Sequence, residues 1–147
     1  MMEFLLYLTP VGNQIVNNLV SSKVHIYENS GRCQVERIFG HFSSNSLTIC
    51  TNNIKEMGYN PYHYVNETLY HEAVHAAQSC RSKKYFGFTK TLGISRQNMP
   101  LSYKKESEVK RSVAANGNIF SSGKEHEAYY LEDKPEQVLK YVKKFCF

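Results

Sequence analysis

His71-Glu72-Ala73-Val74-His75 places two histidines four residues apart with a carboxylate directly after the first. On an α-helix, residues i and i+4 lie one above the other on the same face, so both imidazoles can reach a single ion. Neutral imidazole nitrogen is a good ligand for Zn²⁺ at roughly 2.0–2.1 Å. Glu72 lies about 100° around the helix from His71, beside the ion and not on it. There it can take a proton from a water that the metal activates. The chemistry implied is metal-assisted hydrolysis.

The same five residues form the His-Glu-x-x-His pattern shared by zinc metallopeptidases. Val65, Leu69, Ala73, Ala76 and Ala77 recur at helical spacing around it. Asn66 is the expected N-cap of this helix, and Glu67 suits its first turn. No proline falls between Asn66 and Met99. The small side chains of Ala73, Ala76 and Ala77 leave room for a second segment beside the metal.

A catalytic zinc site needs a third protein ligand and an open position. Residues 76–87 contain no further histidine, which argues against the metzincin arrangement. A carboxylate on a second helix is the alternative, and the segment from Lys124 to Glu132 offers one. Glu125 and Ala128 share a helical face, so a ligand at 125 comes with a small residue that permits close packing. Glu127 points about 200° away from Glu125, so one helix cannot present both. Glu125 is preferred as third ligand, Glu127 is the alternative, and His126 follows. Glu132 is placed to orient a ligating histidine from behind. Tyr103, Tyr129, Tyr130 and His126 are candidates to stabilise an oxyanion.

The elements that must position these residues are readable in outline. The chain of 147 residues is expected to form a single domain over residues 1–147. Met2 to Leu19 reads as helix, interrupted at Pro10-Val11-Gly12. Lys23 to Glu28 alternates like a strand, and Asn29-Ser30-Gly31 is a turn. Cys33 to Phe39 and Leu47 to Cys50 read as strands, with 40–46 as loop between them and 51–64 as loop after. The metal helix follows. Residues 86–100 form a long connection, Ser102 to Ala115 a helix, Lys124 to Asp133 the third-ligand helix, and Pro135 to Lys144 a last helix. Segregated strands and helices predict a compact α+β domain, with a short sheet beside the metal helix and a C-terminal helix supplying the third ligand. An edge strand, Cys33–Phe39 or Leu47–Cys50, is expected to receive an extended peptide by β-augmentation.

Composition narrows the partners. The net charge is +5, and nine cations between Arg81 and Arg111 face only Glu106 and Glu108 there. Such a stretch suits nucleic acid, anionic lipid or an acidic substrate, but most basic segments are merely solvated. Cys33, Cys50, Cys80 and Cys146 contain no Cys-x-x-Cys pair, so no zinc ribbon is expected. The first ten residues lack the features of a signal peptide, and no stretch reaches the roughly 18 apolar residues of a membrane span. The expectation is a soluble intracellular protein with reduced thiols.

Several runs together resemble the mitochondrial inner-membrane metalloprotease family, whose members process an ATP synthase subunit. They are Gly40-His41-Phe42, Leu47 to Ile54 with its Cys-x-Asn-Asn-Ile run, Thr68 to Ala76, and Cys80-Arg81. The similarity covers residues 33–81, plus Glu125-His126-Glu127-Ala128, which matches the Glu-x-x-Ala pattern of that family's carboxylate ligand. The resemblance implies a zincin-like domain of gluzincin type, with a small mixed sheet beside the active-site helix and Glu125 as ligand. Gln78 departs from it, standing near where the family carries an acidic residue, and no transit segment is visible, so substrate and location are not carried over.

The expected function is a zinc-dependent endopeptidase: His71, His75 and Glu125 as ligands, Glu72 as general base, a protein or peptide as substrate. Two rivals are a catalytically silent zincin acting as an assembly or chaperone factor, and a basic nucleic-acid-binding protein with an incidental motif.

Overall fold

The computed structural model describes residues 1–118 and 121–147. Six helices and three strands are seen among them: α1 (Pro10–Ser21), β1 (His25–Glu28), β2 (Gly40–Ser43), β3 (Ser46–Ile49), α2 (Thr51–Glu56), α3 (Pro61–Lys84), α4 (Tyr103–Asn116), α5 (Ser122–Leu131) and α6 (Pro135–Cys146). The architecture is α+β with a small mixed sheet. Strand order is β1-β3-β2, with β1 parallel and β2 antiparallel to β3.

α3 is the axis of the molecule. Its 24 residues span about 36 Å. Val65, Leu69, Ala73, Val74, Ala76 and Ala77 are all but fully buried against the sheet and the flanking helices. Its start differs from the sequence reading. Asn60 is the N-cap, its Oδ1 accepting from Tyr62 N at 2.9 Å, and Pro61 occupies the first turn. Asn66 is instead an interior, buried side chain. Its Oδ1 accepts from Thr9 N at 3.0 Å and its Nδ2 donates to Tyr7 O at 2.9 Å, which ties the N-terminal segment to α3. Pro10 likewise begins a helix and does not interrupt one: Thr9 caps α1, with Oγ1 accepting from Gly12 N at 3.0 Å.

The sheet also corrects the sequence reading. Residues 33–39 do not form a strand, and residues 40–43, expected as loop, do. The Asn53 side-chain amide donates to the carbonyls of Cys33, Glu36 and Ile38 at 2.9, 3.0 and 2.9 Å. Those carbonyls are therefore engaged by α2 and not by a ladder. The turn that makes β2 possible is Ser44-Asn45, both with positive φ (50° and 66°), as a two-residue hairpin connection requires. Residues 51–56, read as loop, are helical, and Asn29 Oδ1 accepts from Asn52 N at 2.9 Å at the start of that helix.

The cysteines are paired: Cys33 with Cys50, and Cys80 with Cys146. This overturns the expectation of reduced thiols. Wide sequence spacing concealed pairs that the fold brings to Cα separations of 5.4 and 5.1 Å. Among the described residues no helix is long and apolar enough to cross a membrane.

Candidate metal centre

α3 presents His71 and His75 one above the other, ring centroids 5.1 Å apart. α5 brings Glu125 across to meet them. Glu125 Oε1 lies 2.8 Å from His75 Nε2, and Oε2 lies 3.6 Å from His71 Nε2. One ligand atom from each of the three residues falls within a mutual 4.8 Å. Their side chains are 12, 14 and 12 % exposed, so the trio opens onto solvent along one side only.

The groups behind the histidines fix which nitrogen carries a proton. Gln78 Nε2 donates to Glu127 Oε1 at 2.8 Å and to Lys124 O at 3.0 Å, both acceptors. Its Oε1 must then face His75 Nδ1, 2.8 Å away, and accept from it. His71 Nδ1 faces Glu132 Oε2 at 3.5 Å, also an acceptor. Gln78 thus makes His75 Nδ1 a donor, the Glu132 carboxylate favours a proton on His71 Nδ1, and both Nε2 atoms point at a carboxylate. Acceptor against acceptor is satisfied only by a cation between them, a proton or a metal ion. Three donors of this kind, two imidazoles and one carboxylate with outer-shell partners, fit zinc with a position left open. Burial pushes the His71 pKa down, but the bonds to Glu125 and Glu132 outweigh it and raise it well above 6.5. Burial likewise pushes the Glu125 carboxyl up, and His71 and His75 outweigh that, holding it far below the usual carboxylate range.

Glu127 lies elsewhere. Its carboxylate is 1 % exposed and accepts from Leu92 N at 2.7 and 3.0 Å, from Ile94 N at 3.4 Å and from Gln78. It anchors the 86–100 connection beneath α5. His126 is buried with Nε2 2.7 Å from Met99 O, and Tyr103 stands 86 % exposed. Tyr130 lies under the Lys134 ammonium, which sits 4.0 Å from its ring centre. Of the four oxyanion candidates, Tyr129 is the one brought beside the trio. Its ring centre is 4.6 Å from that of His71 and its hydroxyl is 2.9 Å from Ser112 Oγ. Burial pushes the Tyr129 pKa up to about 12, so the phenol stays neutral.

A cleft of about 1270 Å³ lies over these residues, lined by Glu72, His71, His75, Glu125, Tyr129 and β2 among others. Glu72 is 8 % exposed at its base. β2 can come this close to α3 because residue 40 is glycine. A Cβ there would sit 2.6 Å from Thr68 Cγ2, 2.8 Å from Thr48 O and 3.5 Å from Glu72 Cγ. Of the two segments expected as edge strand, 33–39 is no strand and β3 is central, so neither holds; β2 and β1 are the edges. Cys50 N donates to Phe39 O at 2.7 Å, so Phe39, His41 and Ser43 direct their backbone groups at β3. The N–H and C=O groups of Gly40 and Phe42 consequently face away from the sheet.

Sequence reasoning missed Gln78 as a partner of His75, although i+3 spacing on one helix was the available signal. Ser112 gave no signal, since only packing brings α4 against Tyr129.

No curated protein and no solved structure matches the chain. A family model does match, across residues 4–147, and on that match the chain belongs to the family described as Domain of unknown function (DUF8637).

Proposed function

We propose that the chain is a zinc-dependent endopeptidase of gluzincin type with a zincin-like fold, as the resemblance in residues 33–81 implies. The observation that carries this reading is the convergence of His71 Nε2, His75 Nε2 and Glu125 on one point, with both Nδ1 atoms committed to partners behind them. His71, His75 and Glu125 hold the ion. Gln78 and Glu132 keep the imidazoles in the ligating tautomer. Zinc, when bound, supplies Lewis-acid polarisation of the scissile carbonyl and acidifies the attacking water toward a pKa of roughly 7. Glu72 takes the proton from that water and delivers it to the leaving amine. The open backbone groups of Gly40 and Phe42 hold the substrate as an added strand, which brings the bond to be cut over Glu72. The neutral Tyr129 hydroxyl donates to the developing oxyanion. The two disulfides favour an oxidising compartment over the reducing cytosol as the place of work.

Metal analysis of the wild type and of His71→Ala, Glu125→Ala and Glu127→Ala tests the ligand set. The expected result is one zinc per chain, lost in the first two variants and kept in any folded Glu127→Ala. Wild-type protein purified without chelators and lacking stoichiometric zinc sinks the reading. Peptide-library cleavage abolished in zinc-loaded Glu72→Gln then separates an endopeptidase from a catalytically silent zincin, whose function the substitution leaves intact.

A further inference from the structure

The cleft has two unlike ends, and α3 measures the distance between them. His71 and His75 sit near the middle of that helix. From Tyr64 to His71, and from His75 to Lys83, it rises about 10–12 Å each way. That is room for about three extended residues on either side.

Toward the start of α3 the wall is aromatic. Phe39, Tyr59 and Tyr64 line the cleft as an edge-on trio, ring centres 5.1, 5.8 and 4.8 Å apart. Charge at this end is balanced. Arg32 is held by both oxygens of Glu36 at 2.6 and 3.1 Å, and Lys105 by Asp133 and Glu132 at 3.3 and 3.8 Å. The remaining cations, Arg37 and Lys104, share the end with Glu67 and Glu108.

Toward the end of α3 the wall is basic. Lys83 from α3, Lys90 from the connection and Lys124 from α5 line it, with Arg111 on the facing helix α4. None of these four has an ion-pair partner, and no carboxylate lines that end among the described residues. Like charges gathered in a cleft with protein walls focus their field on whatever enters.

β2 gives the polarity. Phe39, just before it, packs on Tyr59 and Tyr64, while Asn45, just after it, accepts from Lys83 Nζ at 3.3 Å. β2 therefore runs in the same sense as α3. Antiparallel pairing is the more stable per residue, and a peptide so paired to β2 runs the opposite way, with its N-terminal residues among the lysines and its C-terminal residues among the aromatic rings.

We infer that the cleft takes an extended segment with acidic residues on the N-terminal side of the bond above Glu72 and aromatic or large apolar residues on the C-terminal side. This rests on the endopeptidase reading and adds the substrate class to it.

The test uses metal-loaded Glu72→Gln protein, which holds peptide without cutting it, and four labelled peptides of equal length read by fluorescence anisotropy. One has an Asp/Glu flank before a Phe/Leu flank, one has the same flanks in reverse order, and two replace the acidic flank by Asn/Gln or by Lys. The acidic-then-aromatic peptide should bind about tenfold tighter than its Asn/Gln counterpart. That advantage should shrink as salt is added. Adding Lys83→Glu and Lys90→Glu, both at exposed positions, should make the Lys-flanked peptide the tighter ligand, at an unchanged melting temperature. Equal binding of acidic and neutral flanks, or tightest binding of the reversed peptide, overturns the inference and leaves the endopeptidase reading standing. Failure of all four to bind removes that reading and the inference with it.

Discussion

Replacing Gln78 by alanine separates what this side chain does for the fold from what it would do for a metal held by His71, His75 and Glu125. Its amide is 2 % exposed and makes three short contacts: 2.8 Å to His75 Nδ1, 2.8 Å to Glu127 Oε1 and 3.0 Å to Lys124 O. Removing the two donors leaves Lys124 O short of a partner, while Glu127 keeps Leu92 N at 2.7 Å and Ile94 N at 3.4 Å. Because Glu127 remains largely satisfied, the stability loss should be about 1–3 kcal/mol. Removing the acceptor frees His75 to change tautomer and to rotate, and loss of such an outer partner weakens metal binding about 10–100-fold. Gln78→Glu is the discriminating companion. It keeps an acceptor for His75 but sets a second carboxylate 2.8 Å from that of Glu127. Metal affinity should then recover while stability does not. Denaturant melts of metal-free protein give the first quantity, and competition with a chromophoric chelator gives the second. Wild-type metal affinity in folded Gln78→Ala would refute the argument that Gln78 fixes the ligating nitrogen of His75.

Gly40→Ala should cost about 1–3 kcal/mol in a denaturant melt. The added methyl meets Thr68 Cγ2 at 2.6 Å and backbone Thr48 O at 2.8 Å, so β2 must move off α3; an unchanged midpoint would show that the strand is not held as close as described. For metal-stripped protein the sign of the pH dependence follows from His71 and Glu125. The His71 pKa is raised, so its contribution is complete below 6.5 and is lost as pH climbs through the raised value. The Glu125 pKa is depressed, so its contribution is complete above 4.5 and is lost as pH falls toward the depressed value. Thermal melts should therefore show greatest stability between 4.5 and 6.5, and a melting temperature climbing steadily above that window would contradict this. Removing both cysteines of a pair should destabilise with the logarithm of the loop released: about 4 kcal/mol for Cys80–Cys146 and about 3 kcal/mol for Cys33–Cys50, which close spans of 66 and 17 residues. Equal midpoints for the two double variants would count against a chain-entropy origin.

What the sequence disclosed was whatever depends on helical period. The spacing of His71 and His75, the shared face of Glu125 and Ala128, and the extents of α4, α5 and α6 all follow from residues a few positions apart. Reasoning from that period also separated Glu125 from Glu127, which the fold places at the histidines and at the 86–100 backbone respectively. What it hid depends on distant partners. Residues 33–39 alternate like a strand, but Asn53 takes their carbonyls and Cys50 takes Cys33. Residues 40–43 look like loop because their pairing rests on a Ser-Asn turn, a weaker signal than Asn-Gly. Asn66 has the composition of a cap, and only the approach of Tyr7 and Thr9 makes it an interior tie. Gln78 was visible as a departure from the resemblance, yet its partner Glu127 lies 49 positions away.

The burial of α3 bears on how this chain can change over time. From Val65 to Gln78 no position is exposed; eleven are buried and Glu67, His71 and His75 keep a small part of their surface in contact with solvent. Three sides of that stretch are occupied by helices and sheet, and the fourth faces the cleft. A substitution there must satisfy a packing neighbour or the site, so drift is confined to surfaces such as the 83–88 turn and the outer face of α4. Distant descendants of one ancestor would keep a readable stretch of about four helical turns and lose likeness elsewhere, so the helix that carries His71 and His75 is also the one that would preserve kinship.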